Sequence, residues 1–109
     1  MNSLNSDMNI DRVFEALAST ARRKILAYLN EGELTAGDIA TRFEFSKPAL
    51  STHLRILEEA GLIEREKRGQ FVYFRLVKER VANTVFAWAA ELCPVAGPIK
   101  RERRSTKTS

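Results

Sequence analysis

Cysteine is nearly absent: Cys93 is the only one in 109 residues, which excludes an intrachain disulfide and a cysteine-only zinc cage within one chain. Histidine is as scarce, and His53 alone can neither form a metal site nor act as one half of an imidazole pair in acid–base work. The chain has no Gly-rich phosphate loop and no nucleophile paired with a base, so an enzyme is the weakest reading and no cofactor is expected. Long apolar runs are missing as well, which argues against a membrane span. The opening MNSLNSDMN has neither a basic n-region nor an apolar h-segment. No secretory signal is therefore expected, and the cytoplasm is the natural compartment.

What is present fits one compact core. Hydrophobic residues make up 44% of the chain and charged residues 29%, enough for a single domain. A domain of this size buries roughly 65% of the surface its unfolded chain exposes, so a partner that covered more apolar surface would help it. The net charge of +4 is uneven: 18 Lys and Arg face 14 Asp and Glu, but KRERRSTKTS at 100–109 holds five of the bases and one of the acids. The body is thus neutral, and a nucleic-acid reading must rest on where particular cations project. Residues 94–109 are expected to be a basic, disordered tail and 1–8 a flexible start, leaving 9–93 as the folded unit.

Periodicity places five helices and a hairpin. Ile10, Val13, Phe14 and Leu17 recur at helical spacing, with Asn9 or Asp11 available as a cap for a helix over 11–18. Ser19 and Thr20 can cap a second helix, in which Ile25, Leu26 and Leu29 face inward and after which Gly32 is the stop. Thr35 reads as the N-cap of a short third helix with Asp38 at N3; Ile39, Ala40 and Phe43 supply its apolar face, and it ends near Phe43 to Glu44. Ser46 caps a fourth helix over 47–60, with Pro48 tolerated in the first turn, a Leu50, Leu54, Leu57 stripe, and Gly61 as its left-handed end.

The period then changes. Residues 62–67 and 71–76 read as the two arms of a β-hairpin joined through Arg68, Gly69 and Gln70. Glu79 to Cys93 returns to helix, with Val81, Val85, Trp88 and Leu92 on one stripe and Ala82, Phe86 and Ala89 beside it, until Pro94.

The fold class expected is mainly α with a small β-hairpin: a winged helix-turn-helix of five helices, with the wing between the fourth and fifth. In that plan the second helix of the motif enters the major groove of double-stranded DNA. With its leucines inward, the fourth helix turns Pro48, Thr52 and Arg55 outward, flanked by Lys47 and Ser51, just after Ser46. Short hydroxyls permit close approach to bases and phosphates, and Lys47 or Arg55 suits guanine or phosphate. Lys67, Arg68, Gly69 and Gln70 at the hairpin tip can reach an adjacent minor groove or the phosphates. His53 adjoins the leucines on the wheel and reads as a partly buried structural residue.

The segments VFEALASTARRKILAYL, ELTAGDIATRF and SKPALSTHLRILEEAGLIEREKRGQFVYFRL together resemble the ArsR-type winged-helix regulators over about residues 10–90. The resemblance implies a homodimeric bacterial repressor joined through its first and fifth helices, with Val13, Phe14, Val81, Val85, Trp88, Ala89 and Leu92 as contact residues. Independently, the broad apolar surface of the fifth helix asks for a partner. Two-fold symmetry implies an inverted repeat, with the two reading helices roughly 34 Å apart.

Metal-sensing members carry a cysteine pair in the third helix, where this chain has Thr35 and Gly37, or His and acidic ligands in the fifth, where it has only Glu79 and Glu91. No metal is therefore expected. The sequence looks most like the SdpR-like autorepressor branch, which implies repression of the protein's own operon. The usual SxPxxSHHL of the reading helix is SKPALSTHL here, with Thr52 in place of the first histidine, so the preferred bases differ. Two alternatives stand beside this reading: a thiol-responsive repressor acting through Cys93, and a winged-helix module for protein–protein contact.

Overall fold

The computed structural model describes the backbone of residues 3–92 and the side chains from Ile10 to Leu92. No glycine or proline precedes Gly32, so nothing stops a helix nucleated on the apolar stripe from growing backwards. α1 accordingly runs Ser3–Leu17. It starts well before Asp11, takes in most of the segment set apart as 1–8, and places Asn9 and Asp11 inside the helix, where neither is a cap.

α2 (Thr20–Leu29) is capped as expected by Ser19, whose Oγ accepts from the Arg22 amide at 3.2 Å. It ends at Asn30, before Gly32 is reached. β1 is only Leu34–Thr35, and Thr35 also caps α3 (Ala36–Ala40). The cap is reciprocal: the Asp38 amide donates to Thr35 Oγ1 at 3.0 Å and the Thr35 amide donates to the Asp38 carboxylate at 3.1 Å.

α3 stops earlier than the expected Phe43 to Glu44. The Thr41 hydroxyl and an Arg42 guanidinium N–H both donate to the Asp38 carbonyl, at 2.6 and 2.7 Å, and so occupy an acceptor the next helical turn needs. Ala40, expected on the apolar face, is exposed; Ile39 is fully buried and Phe43 half-buried.

α4 (Lys47–Glu59) has the start, stripe and stop its sequence requires. Ser46 Oγ accepts from the Ala49 amide at 3.2 Å, and Pro48 sits in the first turn. Gly61 follows with φ +78°, its amide donating to the Glu58 carbonyl and that of Leu62 to the Leu57 carbonyl, at 2.9 and 3.0 Å. This is a Schellman ending, which needs the left-handed residue. A Cβ at Gly61 would also run into the Arg80 guanidinium.

The hairpin is β2 (Ile63–Arg68) and β3 (Phe71–Leu76), antiparallel, from Ile63 opposite Leu76 to Arg68 opposite Phe71. The connection is thus two residues, Gly69 and Gln70, with Gly69 at φ +61°; Arg68 belongs to the strand and not to the turn. β1 adds a third strand on the far side of β3, Leu34 against Phe74 and Thr35 against Tyr73. α5 (Lys78–Leu92) closes the described chain.

The core is drawn from α1, α2, α3, α4 and the sheet, with Val13, Ile25, Ile39, Leu57 and Leu62 wholly buried. Every strand of the fold except β1 was expected. α5 contributes no buried residue to that core.

Candidate nucleic-acid interface and subunit face

Burial fixes the orientation of α4. Leu50, Leu54 and Leu57 are 6%, 4% and 0% exposed, which turns Lys47, Pro48, Ser51, Thr52 and Arg55 to solvent on the other side. The start of the helix carries the positive end of the dipole, and Lys47 adds a full charge there with no acidic partner among the described residues. Lys47 and Ser51 also border an open apolar groove of about 330 Å³ shared with Ala36, Gly37 and Ala40. These small α3 side chains leave the N-terminal half of α4 standing clear of its neighbour.

Two members of the set are partly committed elsewhere. The Ser46 hydroxyl is spent on the helix cap, and Arg55 lies 3.4 Å from Glu59 one turn on, an exposed pair worth about 0.3–0.5 kcal/mol.

The wing is less basic than its composition implies. Arg65 pairs with Glu58 of α4 at 2.7 Å, Arg75 with Glu64, and Arg68 with both Glu33 and Glu66, at 2.6 and 3.0 Å. These hydrogen-bonded carboxylates hold all three guanidiniums even more firmly protonated than usual. Arg68 therefore does not project from the tip as expected. Its guanidinium folds back 4.6 Å over the Tyr73 ring.

Lys67 has no acidic partner among the described residues. By strand alternation it shares a face with Arg65, the face that touches α4. Gly69 and Gln70 are exposed at the turn.

His53 occupies the edge of α4's buried side. Its Nδ1 lies 3.3 Å from an Arg22 guanidinium nitrogen and its ring is tilted against Phe45, centroids 5.0 Å apart. Burial, and secondarily the Arg22 charge, hold its pKa below the ordinary 6.5. It is a structural residue in contact with α2.

α5 leans on α1 through Trp88, which meets Phe14 edge to face at 5.3 Å. Val81 and Val85 are half-buried, whereas Trp88, Ala89 and Leu92 are exposed, Leu92 at 62%. Val13 must be removed from the expected contact set: it is 0% exposed inside the chain's own core and has no surface to offer a partner. Phe86, read only as flanking the stripe, is at 71% the most exposed large apolar residue among the described residues. Cys93 and the basic tail lie outside the described residues.

Thr35 and Gly37 are the positions that the resemblance sets against the cysteine pair of metal-sensing members. Thr35 Oγ1 and the Asp38 carboxylate are engaged with each other's backbone amides, and Gly37 has no donor side chain. Among the described residues no three His, Cys, Asp or Glu side chains form a group that could hold a metal ion. Nor is any described helix long and apolar enough to cross a membrane.

A capped helix pair with the second helix exposed along its polar side, followed by a hairpin wing, defines a winged helix-turn-helix protein. Comparison with known proteins makes the assignment specific. Residues 19–65 match the model of the bacterial regulatory protein arsR family. The transcriptional repressor SdpR of Bacillus subtilis is 48% identical over 67 residues, 62% of this chain and 74% of that protein.

A crystal structure of an ArsR family transcriptional regulator superposes with TM-score 0.75 at 29% identity, over 86% of this chain and 96% of the other. A solution structure of a homodimeric winged helix-turn-helix DNA-binding domain from Mycobacterium bovis superposes with TM-score 0.63 at 27% identity, over 86% and 88%. The chain belongs to the ArsR family of bacterial regulatory proteins. It is a transcription regulator and not an enzyme.

Proposed function

We propose that this protein is a homodimeric cytoplasmic repressor that binds an inverted repeat in double-stranded DNA, represses its own operon and does not respond to metal. The observation that carries the reading is the division of α4: three leucines wholly committed to the core, and Lys47, Pro48, Ser51 and Thr52 exposed along the opposite side at the electropositive end. A face of hydroxyls and a lysine with no acidic partner among the described residues is suited to base edges and phosphates. SdpR, named as a transcriptional repressor, supports repression, and the M. bovis domain, described as homodimeric and DNA-binding, supports the assembly. The exposed Phe86, Trp88 and Leu92 give α5 the apolar face a second copy needs.

The test is titration of the purified protein against duplex DNA from upstream of its own gene, followed by anisotropy across a salt series. Binding is expected to weaken steeply with salt. Lys47→Ala and Thr52→Ala are expected to lower affinity roughly tenfold each, and Lys47→Ala also to make the salt slope shallower by about 1. Unchanged affinity and sequence preference in both variants would show that α4 is not the reading surface. Release of the DNA by zinc or arsenite would refute the metal-independent part.

A further inference from the structure

Three wing arginines are matched by acids, but Arg68 is held differently from the other two. It sits at the last paired position of β2, opposite Phe71 and next to the Gly69–Gln70 turn, where the backbone is nearest any DNA the wing would meet. Its guanidinium is nonetheless drawn inward over Tyr73, gripped by Glu66 of the same strand and, at the shorter distance of 2.6 Å, by Glu33. Glu33 belongs to the segment between α2 and β1, so this tether, like that of Arg65 to Glu58, reaches from outside the hairpin, but it alone acts at the tip and is shared with a second carboxylate. Alternation places Arg68 on the sheet face opposite Lys67, leaving Lys67 as the tip's unengaged cation among the described residues.

We propose that Glu33 is an internal competitor for DNA phosphate: it holds Arg68 over Tyr73 in the free protein, and Arg68 turns outward to the DNA backbone when the wing docks. The proposal rests on the DNA-binding reading above and adds an affinity-setting residue that lies outside α4 and outside the wing. The Arg68 side chain is 44% exposed and that of Glu33 33%, so the pair is screened by water and weak enough for a phosphate to displace. Because the guanidinium is at the end of a flexible stem anchored beside the turn, rotation of the side chain suffices and the strand register is kept. The two carboxylates both accept from one nitrogen of Arg68, Nη2, whereas a phosphate can take the guanidinium fork in a bidentate, charge-assisted pair and also releases counterions from the DNA, which the carboxylates do not.

The experiment measures binding of the full chain to a labelled mixed-sequence duplex of about 30 base pairs, across a salt series, for wild type, Glu33→Gln, Arg68→Ala and the double variant. Glu31→Gln, an equal charge change at a neighbouring exposed acid with no ion pair among the described residues, is the control. Glu33→Gln is expected to bind about two- to fivefold tighter, and Arg68→Ala to bind more weakly with a salt slope shallower by about 1. The double variant should match Arg68→Ala, because without Arg68 there is nothing for Glu33 to withhold.

If Arg68→Ala disturbs folding, Arg68→Gln, which retains a long polar side chain over Tyr73, replaces it. The proposal is overturned if Glu31→Gln tightens binding as much as Glu33→Gln, if the Glu33→Gln gain survives in the double variant, or if Arg68→Ala leaves affinity and slope unchanged. Absence of salt-dependent binding by the wild type itself refutes the DNA reading and this proposal with it; wild-type binding with a silent Glu33 refutes this proposal alone.

Discussion

Helices α4 and α5 carry the same kind of apolar repeat and meet opposite fates. In α4 the leucines at 50, 54 and 57 are 6%, 4% and 0% exposed, covered by α1, α2 and the hairpin of the same chain. In α5 the equivalent stripe is half-covered at Val81 and Val85 and then opens progressively, to 42% at Trp88 and 62% at Leu92, with Phe86 beside it at 71%. Amphipathic spacing therefore states that a face needs cover and is silent about which chain provides it. Leaving such side chains in water forgoes about 1.5–3 kcal/mol each relative to full burial, which a second copy can recover. One helix is thus a part of the monomer's core and presents its polar side outward; the other is the surface on which a dimer can be built.

The contrast breaks if either helix behaves like the other when truncated. Leu57→Ala should show the largest effect, a loss of about 2–5 kcal/mol in urea unfolding, since the wholly buried side chain leaves a cavity among rigid neighbours. That loss should appear at every protein concentration. Phe86→Asp acts in the other direction: it removes nothing from the chain's own core and should leave the helical content unchanged. It should convert a sedimenting dimer into single chains at micromolar concentration, weakening association about tenfold or more. A Phe86→Asp protein that unfolded as readily as Leu57→Ala, or that sedimented as wild type does, would erase the distinction between the two helices.

The same contrast explains what the sequence could and could not disclose. All of α4 was legible because its signals are local: the Ser46 cap, the leucine spacing and Gly61 lie within one helix, and each has a single conformational meaning. The beginning of α1 was not, because Ser3, Asn5, Ser6 and Asp7 are all residue types that can open a helix and no glycine or proline singles one of them out. β1 was missed because two residues carry no periodicity; Leu34 and Thr35 become a strand only through Phe74 and Tyr73, distant in sequence.

Val13 and Phe14 lie on one stripe, and only packing tells that the first is core while the second meets Trp88. The fate of Arg68 was hidden for a related reason. A count of cations gives the charge of a hairpin, but the carboxylate that neutralises this one comes from Glu33, in another part of the chain. Local signals place elements; whether a face or a charge is free depends on partners that sequence spacing does not reveal.

The smallest expected effect sharpens the comparison at the edge of α4. His53 closes that helix's seat as a neutral imidazole beside Arg22, and burial first, then the Arg22 charge, keep its folded pKa below 6.5. The unfolded chain, free of both, takes up its proton first as pH falls. Stability is therefore fully present above about pH 6.5 and declines below it, until the folded imidazole also protonates. Asp38 does not confuse that window: its pKa is held below the ordinary 3.8 by the Thr35 amide and hydroxyl, so its contribution is lost only in stronger acid.

α5 contains no histidine, and its association has no imidazole of its own to titrate. Between about pH 7.5 and pH 5 the urea midpoint should thus fall slightly in the wild type, and His53→Gln should flatten the slope. A slope that persisted in His53→Gln would place the titrating group elsewhere and leave the imidazole with no part in seating α4.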